Sequence, residues 1–188
     1  MKKLILTTAI TLVAFAGAFA QTTTPTAHVN PGPATANANL SVTINPIQSI
    51  KVNNGDVALS YSSTDHYKNG VTEERPDHLT VYSTGAFQVN VQASDLVSSG
   101  TETIAASGIT VTAANGTTNG LASIESEGPV ELPTTAASLI FSSNEGAVDR
   151  NVDVTYKGAG GDDYLNKYFK TGSNNVYKTV VTYSIEAK

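Results

Sequence analysis

The chain of 188 residues has no cysteine, no tryptophan and a single methionine, and only 14% of it is charged. Without cysteine there is no disulfide staple, no thiolate nucleophile and no Cys-ligated zinc or iron–sulfur centre, so packing alone must hold the fold. Without tryptophan, the stacking platform most often used by sugar-binding modules has to be built from Tyr or Phe. Basic residues are scarce as well: 11 Lys and Arg stand against 16 Asp and Glu, a formal net charge of −5. Nucleic acid is bound by clustered Lys and Arg that displace counterions, so it is not an expected partner. The same balance argues against adsorption to anionic lipid.

Long apolar runs are also missing. Lys2 and Lys3 make a basic start, residues 4–15 a short apolar run, and Ala18-Phe19-Ala20 the small-x-small pattern that signal peptidase cleaves. The run is shorter than the ~20 residues that span a bilayer. Residues 1–20 are therefore expected to be an export signal that is removed, leaving Gln21 as the first mature residue and no Cys there for lipid attachment. Cleavage takes away two lysines and no acid, so nine basic residues face sixteen acidic ones, a balance of −7 that favours solubility. The expected location is the cell surface, the periplasm or the extracellular space, with no membrane span in the mature form.

What is present is strand pattern. Residues 21–39 are Thr, Pro, Ala, Asn and Gly with almost no large apolar side chain, a composition that predicts a flexible leader. From Leu40 the period becomes two: Leu40/Val42/Ile44, Ile50/Val52, Val57/Leu59/Tyr61, Leu79/Val81, Phe87/Val89/Val91, Ile109/Val111, Leu139/Phe141, Val152/Val154/Tyr156 and Val181/Tyr183/Ile185. Such alternation marks half-buried strands, with Gln88, Asn90, Gln92, Asn151, Asp153 and Thr155 on the wet face. Asn54-Gly55, Asn69-Gly70, Asn115-Gly116, Asn119-Gly120 and Glu145-Gly146 supply turns between the runs.

Helical period is nearly absent, apart from a candidate turn over residues 162–169. The pattern predicts an all-β, antiparallel, two-sheet, immunoglobulin-like sandwich of roughly nine or ten short strands over residues 40–188. A domain of about 150 residues buries roughly 68–70% of its unfolded surface, enough to stand on packing. The stretch of residues 98–128 is poor in bulky side chains and is expected to hold long loops, one of which is a candidate binding tip.

Residues with chemical potential are few. His28 lies in the leader, and His66 and His78 follow Asp65 and Asp77 in what read as solvated loops. No Gly-x-Ser-x-Gly elbow is present for a Ser-His-Asp site. Glu73/Glu74/Asp77, Glu125/Glu127, Glu145/Asp149 and Asp162/Asp163 read as turn acids rather than a glycosidase pair, so no catalytic residue is assigned and a non-enzymatic protein is expected. No cofactor is expected, except that the glycine-rich 158–161 stretch ahead of Asp162 and Asp163 makes those two carboxylates candidate Ca²⁺ ligands.

Of the eight tyrosines, Tyr61, Tyr82, Tyr156, Tyr177 and Tyr183 fall in strand patterns and Tyr67, Tyr164 and Tyr168 in loops. Tyr164, Tyr168 and Phe169 beside Lys167 and Lys170 are the candidate binding residues; a loop folded back over a sandwich end would use the same side chains.

The closing segment, with Tyr177, Tyr183 six residues on and Ile185 two beyond, resembles the last strand of WxL-type bacterial surface domains. Phe87-Gln88-Val89 after Leu79-Thr80-Val81 is similar to that family's first aromatic-x-aliphatic element. Phe87 and Tyr183 stand where the family has its Trp. The resemblance covers residues 50–188 and implies cell-wall binding. Tyr-rich closing strands are also similar to those of pilin-like subunits.

The expectation is thus an adhesion or structural protein of the cell surface that meets an envelope polymer, a glycan or a partner protein through its loops. The alternative is a fibre subunit that self-assembles, in which the Leu40/Val42/Ile44 segment is donated as a strand to a neighbour's open sheet; otherwise that segment is the first strand of its own sandwich.

Overall fold

The computed structural model describes residues 32–98, 102–168 and 175–188. Its elements in chain order are β1 (Gln48–Val52), α1 (Thr64–Asn69), β2 (Thr72–Ser83), β3 (Phe87–Ala93), β4 (Leu96–Val97), β5 (Thr103–Ile104), β6 (Ile109–Asn115), β7 (Glu125–Ser126), β8 (Val130–Glu131), β9 (Ser138–Ser143), β10 (Ala147–Gly158) and β11 (Val181–Ala187). A 3-10 turn, Ala106–Gly108, precedes β6. The protein is an all-β antiparallel sandwich. One sheet runs β1-β2-β10-β6-β8, the other β11-β3-β9-β7, and β4 and β5 form a small ladder of their own.

Alternation explains the central strands. In β3 every second residue from Phe87 to Ala93 is buried, and β10 does the same at Val152, Val154 and Tyr156. Each strand gives one face to the core and one to water, as an antiparallel sheet allows. Leu79 and Val81 from β2, Val111 from β6, and Ile140 and Phe141 from β9 complete the interior. Phe87 and Phe141 meet edge to face across it, with centroids 6.3 Å apart.

The ladders also depart from strict alternation. Between β3 and β9 the register jumps from Val89↔Phe141 to Asn90↔Leu139, leaving Ile140 as an extra residue. A bulge of this kind turns neighbouring side chains to the same face, and Ile140 and Phe141 are both fully buried while Leu139 is only half-buried. The Leu139/Phe141 face expected from the sequence is corrected in this way.

The longest irregularity lies between β2 and β10, where Val152↔Leu79 is followed by Val154↔Arg75. Pro76, which has no N–H to offer a ladder, and Asp77, at φ 50°, fill the break. β2 thereby extends to Thr72 through Glu73, Glu74 and Pro76, residues that carry no strand pattern.

Other elements differ from the sequence expectation. Eleven strands form among the described residues, four of them only two residues long. Val57, Leu59 and Tyr61 alternate but make no ladder; Val57 and Leu59 pack on the core as an extended strap. The β1–β2 pairing stops at Val52↔Leu79 where the bulge begins, and the Arg75 guanidinium instead donates to the carbonyls of Asn54 and Asp56. α1 was not signalled by period: its six residues are started by the Ser63 hydroxyl, which accepts from His66 N–H at 3.2 Å, and ended at Gly70 with φ 82°. The candidate helical turn over 162–169 is a series of turns through residue 166.

Thr43–Lys188 is one compact unit. Residues 32–47 have neither helix nor strand, and every one is exposed. The strand expected at Leu40, Val42 and Ile44 does not form; the three are 91%, 79% and 82% exposed. Ladder pairing of this segment ends at Ile47, whose N–H donates to Thr84 Oγ1 and whose carbonyl accepts from Thr84 N–H, because β2 turns into β3 just beyond.

The bulge in β9 makes a direct prediction. Ile140→Ala is expected to lower stability by about 2–5 kcal/mol and Leu139→Ala by clearly less, measured by urea unfolding. The reverse order would mean that β9 alternates without a bulge.

Candidate functional site

The acidic bulge residue Asp77 is fixed from the neighbouring strand. Asp153, on β10, accepts from Asp77 N–H at 2.6 Å and from Thr117 N–H at 3.0 Å through one carboxylate oxygen, and from the Thr117 hydroxyl at 2.7 Å through the other. Asp77 in turn accepts from Thr118 N–H at 2.9 Å. Partial burial acts to raise the Asp153 pKa, but these bonds to the charged form outweigh it and hold the carboxyl below the ordinary aspartate value. The Asn115–Asn119 turn is drawn onto the outer face of the sheet, where Asn151 donates to the Thr118 carbonyl. These acids organise backbone and are spent on it.

The bulge has its chief effect one residue on. His78 and Leu79 are consecutive and both face the core, at 3% and 0% exposure. His78 therefore departs from the solvated loop histidine expected from sequence: the two extra residues in the break let His78 turn inward beside Leu79, while Arg75 opposite Val154 and Leu79 opposite Val152 keep the strand's phase on either side. Its Nε2 lies 2.9 Å from Tyr156 Oη, and Tyr156 Oη lies 2.5 Å from Tyr183 Oη. β2 and β10 belong to one sheet and β11 to the other, so this chain of three polar groups links the two sheets inside the sandwich. Burial, and then the Arg75 guanidinium nearby, lower the His78 pKa from its ordinary value. Burial raises the phenols of Tyr156 and Tyr183. The imidazole is held neutral, its ring nitrogen engaged by a phenol and closed off from solvent.

His66, by contrast, sits in α1, where its Nδ1 accepts from Ser62 N–H at 3.2 Å. The adjacent Asp65 accepts from Asn69 at 2.6 Å rather than from the imidazole.

Of the sequence-derived contact residues, Tyr164 and Tyr168 lie on the loop that follows β10. Tyr164 is half-buried: its ring packs edge-on to Tyr61 at 4.9 Å, Tyr61 lies 5.5 Å from Tyr67, and the Tyr164 hydroxyl donates to the Gly108 carbonyl at 3.3 Å. The Tyr61 hydroxyl donates to the Ala159 carbonyl at 2.7 Å. Burial, reinforced by the neighbouring Tyr164, raises the Tyr61 phenol above its ordinary value.

α1 and the 158–162 loop dock backbone to backbone, through Gly161 N–H to the Lys68 carbonyl and Asp162 N–H to the Tyr67 carbonyl. A Cβ at Gly160 would come within 2.7 Å of the Lys68 carbonyl oxygen, so only glycine fits this approach. Tyr164 is thus part of the frame. Tyr168 is 68% exposed and Leu165 53% exposed on the same loop. Phe169 and Lys170 lie outside the described residues.

The neighbouring segments carry exposed valines, together with Lys178 and the Lys167–Glu102 ion pair. Val97 pairs through its backbone with Lys178, and the Tyr177 hydroxyl donates to the Lys167 carbonyl at 3.0 Å. These bonds tie the segments of Val97 and of Val176 and Val180, each valine at least half-exposed, to the loop that carries Leu165 and Tyr168 through Lys178, Tyr177 and Lys167. Sequence reasoning did not include the three valines, because Val176 and Val180 look like continuations of a strand that begins only at Val181.

No family model matches the chain, and no curated protein matches it either. Asp162 and Asp163 are exposed, and among the described residues no three His, Cys, Asp or Glu side chains gather as a metal site. Among the described residues no helix is long and apolar enough to cross a membrane.

The buried imidazole gives stability a pH dependence with a definite sign. Its folded pKa lies below the unfolded value of about 6.5, so the unfolded chain takes up the proton first. The contribution is whole above about pH 6.5 and is lost as pH falls below it. In urea unfolding between pH 7.5 and 5, wild type is expected to lose more stability than His78→Gln. Equal losses would show that His78 is not buried neutral.

Proposed function

We propose that this chain is an exported, non-enzymatic structural or adhesion protein that binds an envelope polymer, a glycan or a partner protein through the loop end bearing Leu165 and Tyr168. The observation that carries the reading is that Leu165 and Tyr168 stand exposed on a frame braced by Tyr61, Tyr67, Tyr164 and Gly160, with exposed Val97, Val176 and Val180 on the segments bonded to the same loop. Exposed apolar groups that cluster on a protein surface mark contact sites more often than singly scattered ones do. A tyrosine adds an amphipathic ring that loses little conformational entropy on contact. Rigid support beneath such loops limits the ordering cost of binding.

The likeness to WxL-type domains supports an envelope partner. Its two segments, around Phe87-Val89 and Tyr183-Ile185, are adjacent strands that pair as Ile185↔Val89 and Ala187↔Phe87. The polar groups most suited to chemistry are engaged elsewhere: His78 with Tyr156, and Asp153 with Asp77 and Thr117.

The test is retention on isolated peptidoglycan sacculi and on a glycan array, for the chain from Gln21 and for a Leu165→Ser/Tyr168→Ser variant. Both positions are solvent-facing, so the variant should unfold at the same urea concentration as wild type. The expected result is retention of wild type on one of these supports and at least a tenfold loss in the variant. Equal retention, or retention of neither protein, would count against the loop end as the binding surface.

A further inference from the structure

A second surface, separate from the loop end, follows from the strand edges. In the sheet β11-β3-β9-β7, β11 is hydrogen-bonded to β3 on one side, and among the described residues no strand pairs with its other edge, which presents backbone N–H and C=O groups. The other free edges are poorer templates. β7 and β8 have two residues each, and β1 has five, including Lys51. β11 has seven, and Val181 to Ile185 carry no charge. Its core-facing residues Val181, Tyr183 and Ile185 are only half-buried, whereas Val91 and Val89, opposite Tyr183 and Ile185 on β3, are fully buried. β1 of the other sheet lies beside this edge, and the interior there is still only partly covered.

The same chain carries a segment that matches it. Leu40, Val42 and Ile44 alternate with Ser41 and Thr43 and are almost wholly exposed. They place three large apolar side chains at the period-two spacing of Val181, Tyr183 and Ile185. Residues 32–47 contain no charged residue and β11 has Glu186 alone, so the pairing meets neither like charges nor a lysine within the strand, the devices that natural sheets use to refuse it. Val, Thr and Ile are strong strand formers that here form no strand of their own.

We propose that residues 40–44 of one copy add as a strand to the free edge of β11 in a second copy. Backbone bonds would supply the pairing, and the three apolar side chains would cover the half-buried side of the core. Donor and acceptor are different surfaces of one subunit, so the contact is heterologous: each copy that receives a strand still has one to give. Such contacts build open chains unless the rotation closes a ring. The competing occupant is the subunit's own segment. Ile44 and Pro46 line the same shallow groove as Ala187, at the end of β11, and self-pairing would yield a monomer.

The test is light scattering behind size-exclusion chromatography on the chain from Gln21, across a hundredfold concentration range, beside a Leu40→Asp/Val42→Asp variant. The substituted side chains are exposed, so the variant should retain the wild-type unfolding midpoint. The expected result is a ladder of masses for wild type that grows with concentration, and monomer alone for the variant. A synthetic peptide of residues 39–47, added to the isotopically labelled variant, should shift the amide resonances of residues 181–187, and the doubly substituted peptide should not. A wild-type monomer at every concentration would overturn the proposal. So would multimers that persist in the variant, or peptide shifts that map to β1 instead of β11. The sacculus and glycan measurements read a different surface, so either result can fail without the other.

Discussion

The carboxylate of Asp153 is the constraint on which the arrangement of this sandwich depends. It receives the backbone N–H of Asp77, freed from the ladder by the bulge, together with the N–H and hydroxyl of Thr117. An unpaired N–H at a buried break costs about 1–3 kcal/mol, so a bulge at Pro76 and Asp77 persists only where an acceptor of this kind stands opposite. Once it persists, the backbone turns locally between Arg75 and Leu79, and a histidine that strict alternation would send to solvent enters the core. The interior answers with two phenols. Tyr156 comes from the same sheet and Tyr183 from the other, so a polar chain joins the two layers within an otherwise apolar core.

That link lies on the side of the molecule that ends in β11. Tyr183 anchors the strand inward by its hydroxyl, while Val181 and Ile185 remain half-covered. The sandwich is thus well tied at an edge that is nevertheless incomplete. The loop end shows the same division of labour. Tyr61, Tyr67 and Tyr164 make a braced frame, and Leu165 and Tyr168 stand outside it. In both places rigid aromatic contacts support surface that the molecule does not cover for itself, and the two proposals made for this protein rest on those uncovered surfaces.

Most of the sandwich was legible because its central strands have one wet face. Residues 87–93, 109–113, 152–156 and 181–185 alternate in sequence and alternate in burial. What escaped is what depends on a partner strand. The Asp77 and Ile140 bulges are set by register across the ladder, and nothing local to His78 or Ile140 announces that it turns inward. The first half of β2 was hidden by its acids and by Pro76, which fit there because the bulge removes the need for regular pairing. α1 is too short to display a period; the Ser63 cap was its readable signal. At the loop end, composition selected Tyr164 and Tyr168 together. Tertiary contact separates them into a packed residue and an exposed one.

The most direct measurement is an NMR titration of the His78 ring in wild type and in Asp153→Ala. If Asp153 holds the bulge that turns His78 inward, wild-type His78 titrates below the ordinary histidine value. In the variant its pKa moves back toward about 6.5 as the ring regains contact with water. A folded Asp153→Ala protein in which His78 keeps its depressed titration would contradict the account, because the histidine would then be buried by something other than the bulge.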